Sequence, residues 1–472
     1  MTPNPLPPSA APTFPAGTRA ATIALGMVVL LQLAAFAWYS PGNDWARDLF
    51  MAARIADGGA WPARGPVIGG LFHTGPLWYF VVALPVALGA GFAATTLFVG
   101  ALATAKIPLA ARLGWRLGGA RLALPFAALV AVPGWGVYES LQLTHTALLQ
   151  MLAIAAMLPM LTLWRGGPAW HWLAFGALAG LAVQAHPVAG VLAVPALAVA
   201  WRRRARLVGD GPALVAGVAI AWLPTLPMLL AEAREGWPAL ATIAAAPAPS
   251  ARAFATEAFA LVAASTVGAI AAMRDWAPGA WGIVVVALGV TLALAWLASL
   301  PAVARDHTAR GRLALVTALW VIGGAWLLAV HVRVPFYMAA VTAPALAFAF
   351  AQGLAVAPPW FRGTGVAAAL ALATIAPLSV IATMRAPRSR ATATRSGVME
   401  TFSPRLASRS SGLRITSRYE VRGRGSNSTV SGGSNSLLLS SSCSCTAASA
   451  RTANRVNTST PALGSRTSPS SS

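Results

Sequence analysis

The chain has 472 residues, of which 57% are hydrophobic and only 10% are charged. Soluble domains carry about 25% charged residues, so this composition excludes a soluble globular protein and predicts an all-α, polytopic membrane protein. The formal net charge is +22, but the bases lie mostly in short loops and in a Ser/Arg-rich tail, which argues against a nucleic-acid partner. The two cysteines, Cys443 and Cys445, both lie in the tail and exclude a disulfide framework or a CxxC metal site.

The N-terminal part predicts a disordered start and a retained first helix. Residues 1–19 are rich in Pro and Ala, and residues 20–39 then supply about 20 apolar residues, enough to cross a bilayer. No small-residue cleavage pattern clearly outcompetes anchoring, so we expect the helix to remain in the mature protein.

Residues 40–76 form a polar loop after this helix and are the part of the chain where chemistry is expected. Charge at a membrane boundary is costly and is usually kept where it is used. This loop collects acids, bases and a histidine: Asp44, Asp48, Asp57, Arg47, Arg54, Arg64 and His73.

Twelve more apolar runs follow and give thirteen candidate spans in all. They lie near 77–92, 94–111, 122–138, 146–163, 172–185, 188–201, 211–231, 257–273, 279–303, 312–330, 335–356 and 364–384. Basic clusters at 112–121, 201–206 and 304–312 predict cytoplasmic loops. If every candidate crossed the membrane, the basic cluster at 112–121 would lie on the same side of the membrane as the 40–76 loop. One of the runs 77–92 and 94–111 therefore does not cross, the same parity argument questions 257–273, and we expect 11 to 13 true spans.

The run 172–201 lies between two predicted cytoplasmic loops, so it crosses twice or not at all. His186-Pro187 interrupts it, because proline lacks the backbone donor and clashes with the preceding turn. Two half-spans meeting near Gln184 and His186 would place polar groups at the outer end of a cavity.

Residues 385–472 are rich in Ser, Arg and Thr and show no apolar period. Such a segment cannot bury enough apolar surface to fold, which predicts a disordered tail. A genuine tail and the product of a frameshifted reading frame both remain open.

Four motifs, in order and spacing, resemble the C superfamily of membrane glycosyltransferases, in the family 39-like branch of protein mannosyltransferases and lipid A aminoarabinose transferases. The resemblance covers most of residues 20–384, which would form one transmembrane domain. The motifs are DWARD…IADGG…HTGPLWY in residues 44–79, ESLQLTHTALL at 139–149, GLAVQAHP at 180–187 and VRVPFY at 332–337 followed by Ala343-Pro344.

The resemblance implies a multi-spanning enzyme with a periplasmic site, a polyprenyl-phosphate sugar donor and a catalytic acid in the first loop. The chain departs from the family pattern at three places. His145 stands where an Asp is usual, Thr74-Gly-Pro-Leu77 replaces Lys-Pro-Pro-Leu, and Gln184 with His186 stands where a Lys-Gly-Pro-like motif is expected. Two lysines that would hold a lipid phosphate are therefore missing, and histidines would replace them more weakly at neutral pH.

Each candidate site residue has a functional and a structural interpretation. Asp44 is the predicted general base, with Glu139 as the second candidate; both could instead be helix caps. Asp48 is expected to pair with Arg47 or Arg54. Contacts to the donor phosphate or substrate are assigned to His73, His145, His186, Arg333 and Tyr337. The alternatives are polar outer-face or helix-start positions for the histidines and an interface anchor for Arg333. No HxxxH or HExxH spacing supports a metal, and no cofactor is expected.

These observations predict a glycosyltransferase of a bacterial inner membrane that passes sugar to a lipid or glycan acceptor. The bacterial assignment rests on composition: Lys106 is the single lysine in an Ala/Gly/Arg-rich chain, which is typical of a high-GC genome. The alternatives are a transporter or lipid-carrier flippase, which would show internal repeats and paired broken helices, and a catalytically inactive family member.

Overall fold

The computed structural model describes residues 16–37, 43–59, 61–68, 72–132, 143–245, 280–311 and 343–385. The described chain is α-helical apart from one short antiparallel hairpin of β1 (Val67–Ile68) and β2 (Phe72–His73). Fifteen α-helices are described. They are α1 (Ala16–Ala37), α2 (Asn43–Ala56), α3 (Leu77–Ala87), α4 (Phe92–Thr104), α5 (Lys106–Gly118), α6 (Ala120–Ala131), α7 (Leu149–Trp164), α8 (His171–Ala185), α9 (Ala193–Arg202), α10 (Leu207–Trp222), α11 (Leu226–Arg234), α12 (Pro238–Ala245), α13 (Ala280–Arg305), α14 (Ala343–Val356) and α15 (Pro359–Arg385). Short 3₁₀ helices lead into four of them, at His145–Leu148, Pro187–Leu192, Arg204–Arg206 and Leu223–Thr225.

Five described helical stretches are long and apolar enough to cross a membrane, and several shorter apolar helices lie beside them. The five are Arg19–Ala37, Phe92–Gly118, His145–Trp164, Arg204–Arg234 and Gly282–Arg305. This pattern confirms the all-α, polytopic membrane fold. The count of 11 to 13 spans stays a prediction, because the candidates at 257–273 and 312–330 lie outside the described residues. The tail from residue 386 onward lies outside them as well.

The bounds of two predicted segments differ in the structure. The first helix begins at Ala16, so residues 16–19 belong to it rather than to a disordered start. The run 77–92 forms α3, which has 11 residues. At 1.5 Å per residue it is about 16 Å long, against a hydrocarbon core of about 30 Å. The stretch Phe92–Gly118 is long and apolar enough to cross. That only one of the two runs crosses stays a prediction.

The helix break at His186 is confirmed. Helix α8 ends at Ala185, and His186 takes an extended backbone with φ −160° and ψ 131°. The chain then turns through a 3₁₀ helix that starts at Pro187 and continues into α9. Proline at the first position suits a helix start, because its missing donor would be unpaired there anyway.

Helices α8 and α10 pack at very short range through small residues. A Cβ added at Gly176 would lie 2.0 Å from the carbonyl oxygen of Gly217, and one added at Gly217 would lie 2.4 Å from the carbonyl oxygen of Trp172. Small residues at helix crossings let backbones approach closely in lipid, where no hydrophobic force drives association. Either glycine replaced by a larger residue would push the two helices apart.

Two opposite ends of the helical bundle are defined by contacts along α5 and α7. Near the start of both helices, Lys106 Nζ donates to Gln150 Oε1 at 2.9 Å, and near their ends Arg116 donates to Thr162 Oγ1 at 3.2 Å. The two helices therefore run in the same direction. We name the end that holds Arg116 and Thr162 the basic end, because the loops after α7 and α9 also meet there: Arg203 donates to the carbonyls of Leu163 and Gly167. The other end is named the loop end.

Candidate active site

The amphipathic helix α2 carries the first-loop acids at the loop end. Trp45, Asp48 and Ala52 are buried along one face, at the three- to four-residue spacing of a helix stripe, while Asp44 and Arg54 are exposed. The buried face packs on α3, where Trp45 and Trp78 lie with ring centroids 6.3 Å apart. This packing fixes α2 to the membrane domain and leaves Asp44, in its first turn, exposed.

Arg47 joins the two acids of this helix. Its guanidinium lies 3.0 Å from Asp44 Oδ1 and 2.8 Å from Asp48 Oδ1. The second oxygen of Asp48 accepts a hydrogen bond of 2.5 Å from Trp78 Nε1. The Asp48 side chain is 0% exposed, whereas that of Asp44 is 64% exposed. Asp48 is thus committed to holding Arg47 and α3, as the sequence predicts, and Asp44 is the carboxylate that an incoming molecule can reach.

Burial raises the pKa of Asp48 from its ordinary 3.8 to about 6, against the lowering effects of Arg47 and Trp78. The folded state therefore keeps a proton that the unfolded state loses between about pH 4 and pH 6. The contribution of Asp48 to the free energy of unfolding is therefore largest below about pH 4 and is lost as the pH rises to about 6. At 1.36 kcal/mol per pKa unit, the whole change is about 3 kcal/mol.

We expect this pH dependence to disappear in Asp48→Asn. The free energy of unfolding of the wild type minus that of D48N should fall by about 2.4 kcal/mol between pH 4 and pH 7. Unfolding of the purified protein in detergent, followed by circular dichroism at a series of pH values, measures the difference. Asp57→Asn, at an exposed acid of the same loop, should preserve the wild-type slope. A wild-type minus D48N difference that is flat or rises with pH would contradict the assignment.

The hairpin places His73 beside a second charged cluster. His73 Nδ1 lies 3.0 Å from the carbonyl oxygen of Gly65. Arg64, from the same loop, pairs with Glu232 and Glu235 at 2.9 Å each, so it ties the first loop to the end of α11. The Arg64 guanidinium lowers the pKa of Glu235, and His73 makes a smaller contribution in the same direction.

The end of the hairpin lies directly against the break in the α8–α9 pair. A Cβ at Gly75 would lie 1.6 Å from Gln184 Oε1, so a larger residue there would displace the Gln184 amide. Gln184 is buried and donates to Thr225 Oγ1 at 2.8 Å. Its Oε1 has no hydrogen-bond partner among the described residues. The first loop, the helix break and the start of α11 therefore form one packed unit.

His145 and His186 come together behind this unit. Their rings are stacked with centroids 6.1 Å apart and planes 6° apart. His186 is buried, and its Nδ1 accepts from the backbone N–H of Val188 at 3.2 Å. In the described part of the chain, neither ring nitrogen of His145 has a hydrogen-bond partner.

The structure thus brings Asp44, His73, His145 and His186 to the loop end. Glu139, Arg333 and Tyr337 lie outside the described residues. Among those described, no group of three or more His, Cys, Asp or Glu side chains could hold a metal ion.

Lys106 is a buried cation to which the sequence analysis assigned no role. It begins α5, and Gln150, to which it donates, lies five residues after His145. A charged residue inside an apolar span is costly and is retained where it is used. Its isolation among the apolar residues of 94–111 is the signal that could have identified it.

The fold of the chain is similar to that of a solved ArnT structure, which confirms, at the level of the fold alone, the resemblance seen in the sequence. The structure of ArnT from Cupriavidus metallidurans in the apo state is similar, with a TM-score of 0.50 and 18% sequence identity. That match covers 74% of this chain, and the chain spans only 62% of the length of that ArnT chain. A second structure, ArnT from the same organism bound to undecaprenyl phosphate, gives a TM-score of 0.48 at 14% identity, with 78% of this chain and 76% of that chain covered. No protein-family model and no curated protein matches the chain.

Proposed function

We propose that this protein is a glycosyltransferase that moves a sugar from a polyprenyl-phosphate donor to a lipid or glycan acceptor, on the periplasmic face of a bacterial inner membrane. The observation that carries the proposal is the contrast between two first-loop carboxylates, one exposed and one buried. On a C-superfamily fold, Asp44 is open to an incoming molecule and is oriented by Arg47, which the buried Asp48 holds in place.

The reaction needs one base and a means of stabilising the leaving group. The acceptor oxygen attacks the anomeric carbon, its proton passes to Asp44, and the bond from that carbon to the phosphate oxygen breaks with its electrons staying on the polyprenyl phosphate. Cationic and hydrogen-bonding groups must stabilise the phosphate as it leaves. We assign stabilisation of the phosphate to His73, His145, His186, Arg333 and Tyr337. Glu139 is the alternative general base.

The direct test is transfer of labelled sugar from synthetic polyprenyl-phosphate sugars to lipid or glycan acceptors, using the purified full-length chain in liposomes. Appearance of free polyprenyl phosphate together with labelled acceptor supports the proposal. Absence of transfer with every donor and acceptor, in a folded protein, would favour the inactive-relative alternative.

The periplasmic placement rests on the arrangement of charge. The basic end holds Arg116 near the end of α5, Arg165 after α7 and Arg203 after α9. The helix of Asp44 lies at the opposite end of α7, joined to it through Trp78, the Gly75–Gln184 contact and the His186–His145 stack. By the positive-inside rule the basic end is cytoplasmic and the loop end is periplasmic.

A paired cysteine experiment tests this orientation. In a Cys443→Ser/Cys445→Ser background, Asp57→Cys should react with an impermeant thiol reagent in intact cells whose outer membrane is permeabilised. Arg204→Cys at the basic end should react only after the inner membrane is opened. Both positions are exposed, so accessibility within the fold does not decide the result. The reverse labelling pattern would overturn the orientation.

A further inference from the structure

A separate cavity of about 670 Å³ lies at the basic end, within the volume range typical of ligand sites. Its walls come from α5, α6, α7 and α9, from the 3₁₀ turn before α9, and from the chain on either side of residues 312–342. They are almost wholly apolar and are represented by Leu113, Phe126, Met157, Met160, Leu192 and Phe348. An apolar cavity among membrane helices suits a hydrocarbon chain.

The mouth of this cavity is cationic. The charge comes from Arg165 and Arg202, which line the mouth together with Trp164 and His307. Arg202 is held in position, since its guanidinium carbon lies 4.6 Å above the centre of the Trp164 ring and its Nε donates to the Trp164 carbonyl at 3.1 Å. Arg165 is fixed as well, because it donates to the carbonyl of Arg116.

The acids near the mouth do not cancel this charge. Asp210 is paired with the buried Arg203, at 2.5 Å. Asp306 caps the turn that follows it, accepting from the backbone N–H groups of Thr308 and Ala309 at 2.8 and 3.0 Å. Asp306 keeps its negative charge, and Arg310, which contacts the His307 ring on the same side, balances it.

We propose that this cavity binds one acyl chain of an anionic phospholipid from the adjacent leaflet, with the lipid phosphate held between Arg165 and Arg202. Basic pockets between membrane helices favour anionic headgroups, and the attraction is about 1 kcal/mol for each Lys or Arg near the surface. The apolar wall supplies the affinity for the chain, and the two arginines select the headgroup. The site lies at the opposite end of α7 from Asp44, and the inference does not depend on the proposed transfer reaction.

Native mass spectrometry of the delipidated, full-length protein with added phosphatidylglycerol or phosphatidylcholine tests the inference. About 1 kcal/mol per arginine corresponds to a preference for the anionic lipid of roughly five-fold per charge. Arg165→Gln and Arg202→Gln should each reduce that preference about five-fold, and the double variant should abolish it. Inorganic phosphate at millimolar concentration should not displace the lipid.

Two further variants separate a built site from general surface charge. Arg204→Gln is the matched control, since Arg204 stacks on Trp201 at 5.1 Å at the same end but does not line the cavity. It should leave the preference intact. Ala198→Phe fills the cavity and should weaken both lipids while the arginines remain. Equal binding of the two lipids by the wild type, an Arg204→Gln loss as large as that of Arg202→Gln, unchanged binding in Ala198→Phe, or displacement by phosphate alone would each overturn the proposal.

Discussion

Asp44→Asn is expected to lower the rate of sugar transfer by about 10²- to 10⁴-fold, the usual contribution of a general base. The substitution keeps the size of the side chain and its ability to cap or bond at a helix start, but it removes the proton acceptor. Asp44 is 64% exposed, so the change leaves no buried group without a partner and should not affect folding. The measurement is the initial rate of transfer in liposomes at matched protein levels.

The matched control for this prediction is Asp57→Asn. Asp57 lies just after the end of α2 and is exposed, so its loss changes the charge of the loop as much as Asp44→Asn does. We expect activity within a few-fold of wild type. Transfer by D44N at a comparable level would remove Asp44 from the mechanism and direct the search to Glu139.

The helical class of the fold and the break at His186 could be predicted from the sequence, because both follow from local signals. Apolar run length indicates a membrane span, and Pro187 removes a helical hydrogen bond and clashes with the preceding turn. Proline does not always end a helix, since Pro159 lies inside α7. The short length of α3 could not be predicted, because the parity of the basic clusters indicates only that one of the runs 77–92 and 94–111 does not cross. Its apolar run continues past Ala87, and only the turn through Leu88 and Gly89 ends the helix.

The candidate site could be predicted in part. Asp44 and Arg47 are three residues apart on one helix, so their pairing follows from spacing. Arg47 and Asp48 are adjacent, and helical spacing does not explain their contact. The contact of Gly75 with Gln184, the stacking of His145 on His186 and the pairing of Arg64 with Glu232 could not be predicted. Each joins segments far apart in the chain, and helix packing alone decides which of them meet.

Arg47→Gln is expected to destabilise the protein by about 3 kcal/mol, the lower part of the range for breaking a buried ion pair. Asp48 is fully buried and would keep only its bond from Trp78, whereas Arg47 is itself 39% exposed and is readily solvated when free. The cost therefore comes from the carboxylate left behind. Thermal and denaturant unfolding in detergent at pH 7 measure it. Arg54→Gln, at an exposed arginine of the same helix, should change stability by no more than about 0.5 kcal/mol.

The origin of this cost can be tested by neutralising Asp48 in the same variant. An asparagine amide needs no counter-charge, so Arg47→Gln/Asp48→Asn should be more stable than Arg47→Gln alone although it carries one substitution more. Lowering the pH should also reduce the cost of Arg47→Gln, because it protonates Asp48. Because the pKa of Asp48 is about 6 even beside Arg47, removal of the cation raises it further, and the deficit of Arg47→Gln should shrink between pH 7 and pH 5. If the double variant is less stable than the single one, or if the deficit is the same at both pH values, then Arg47 stabilises α2 by packing and Asp48 is not its counter-ion. In that case Asp44 would also lose the partner through which α2 orients it toward an acceptor.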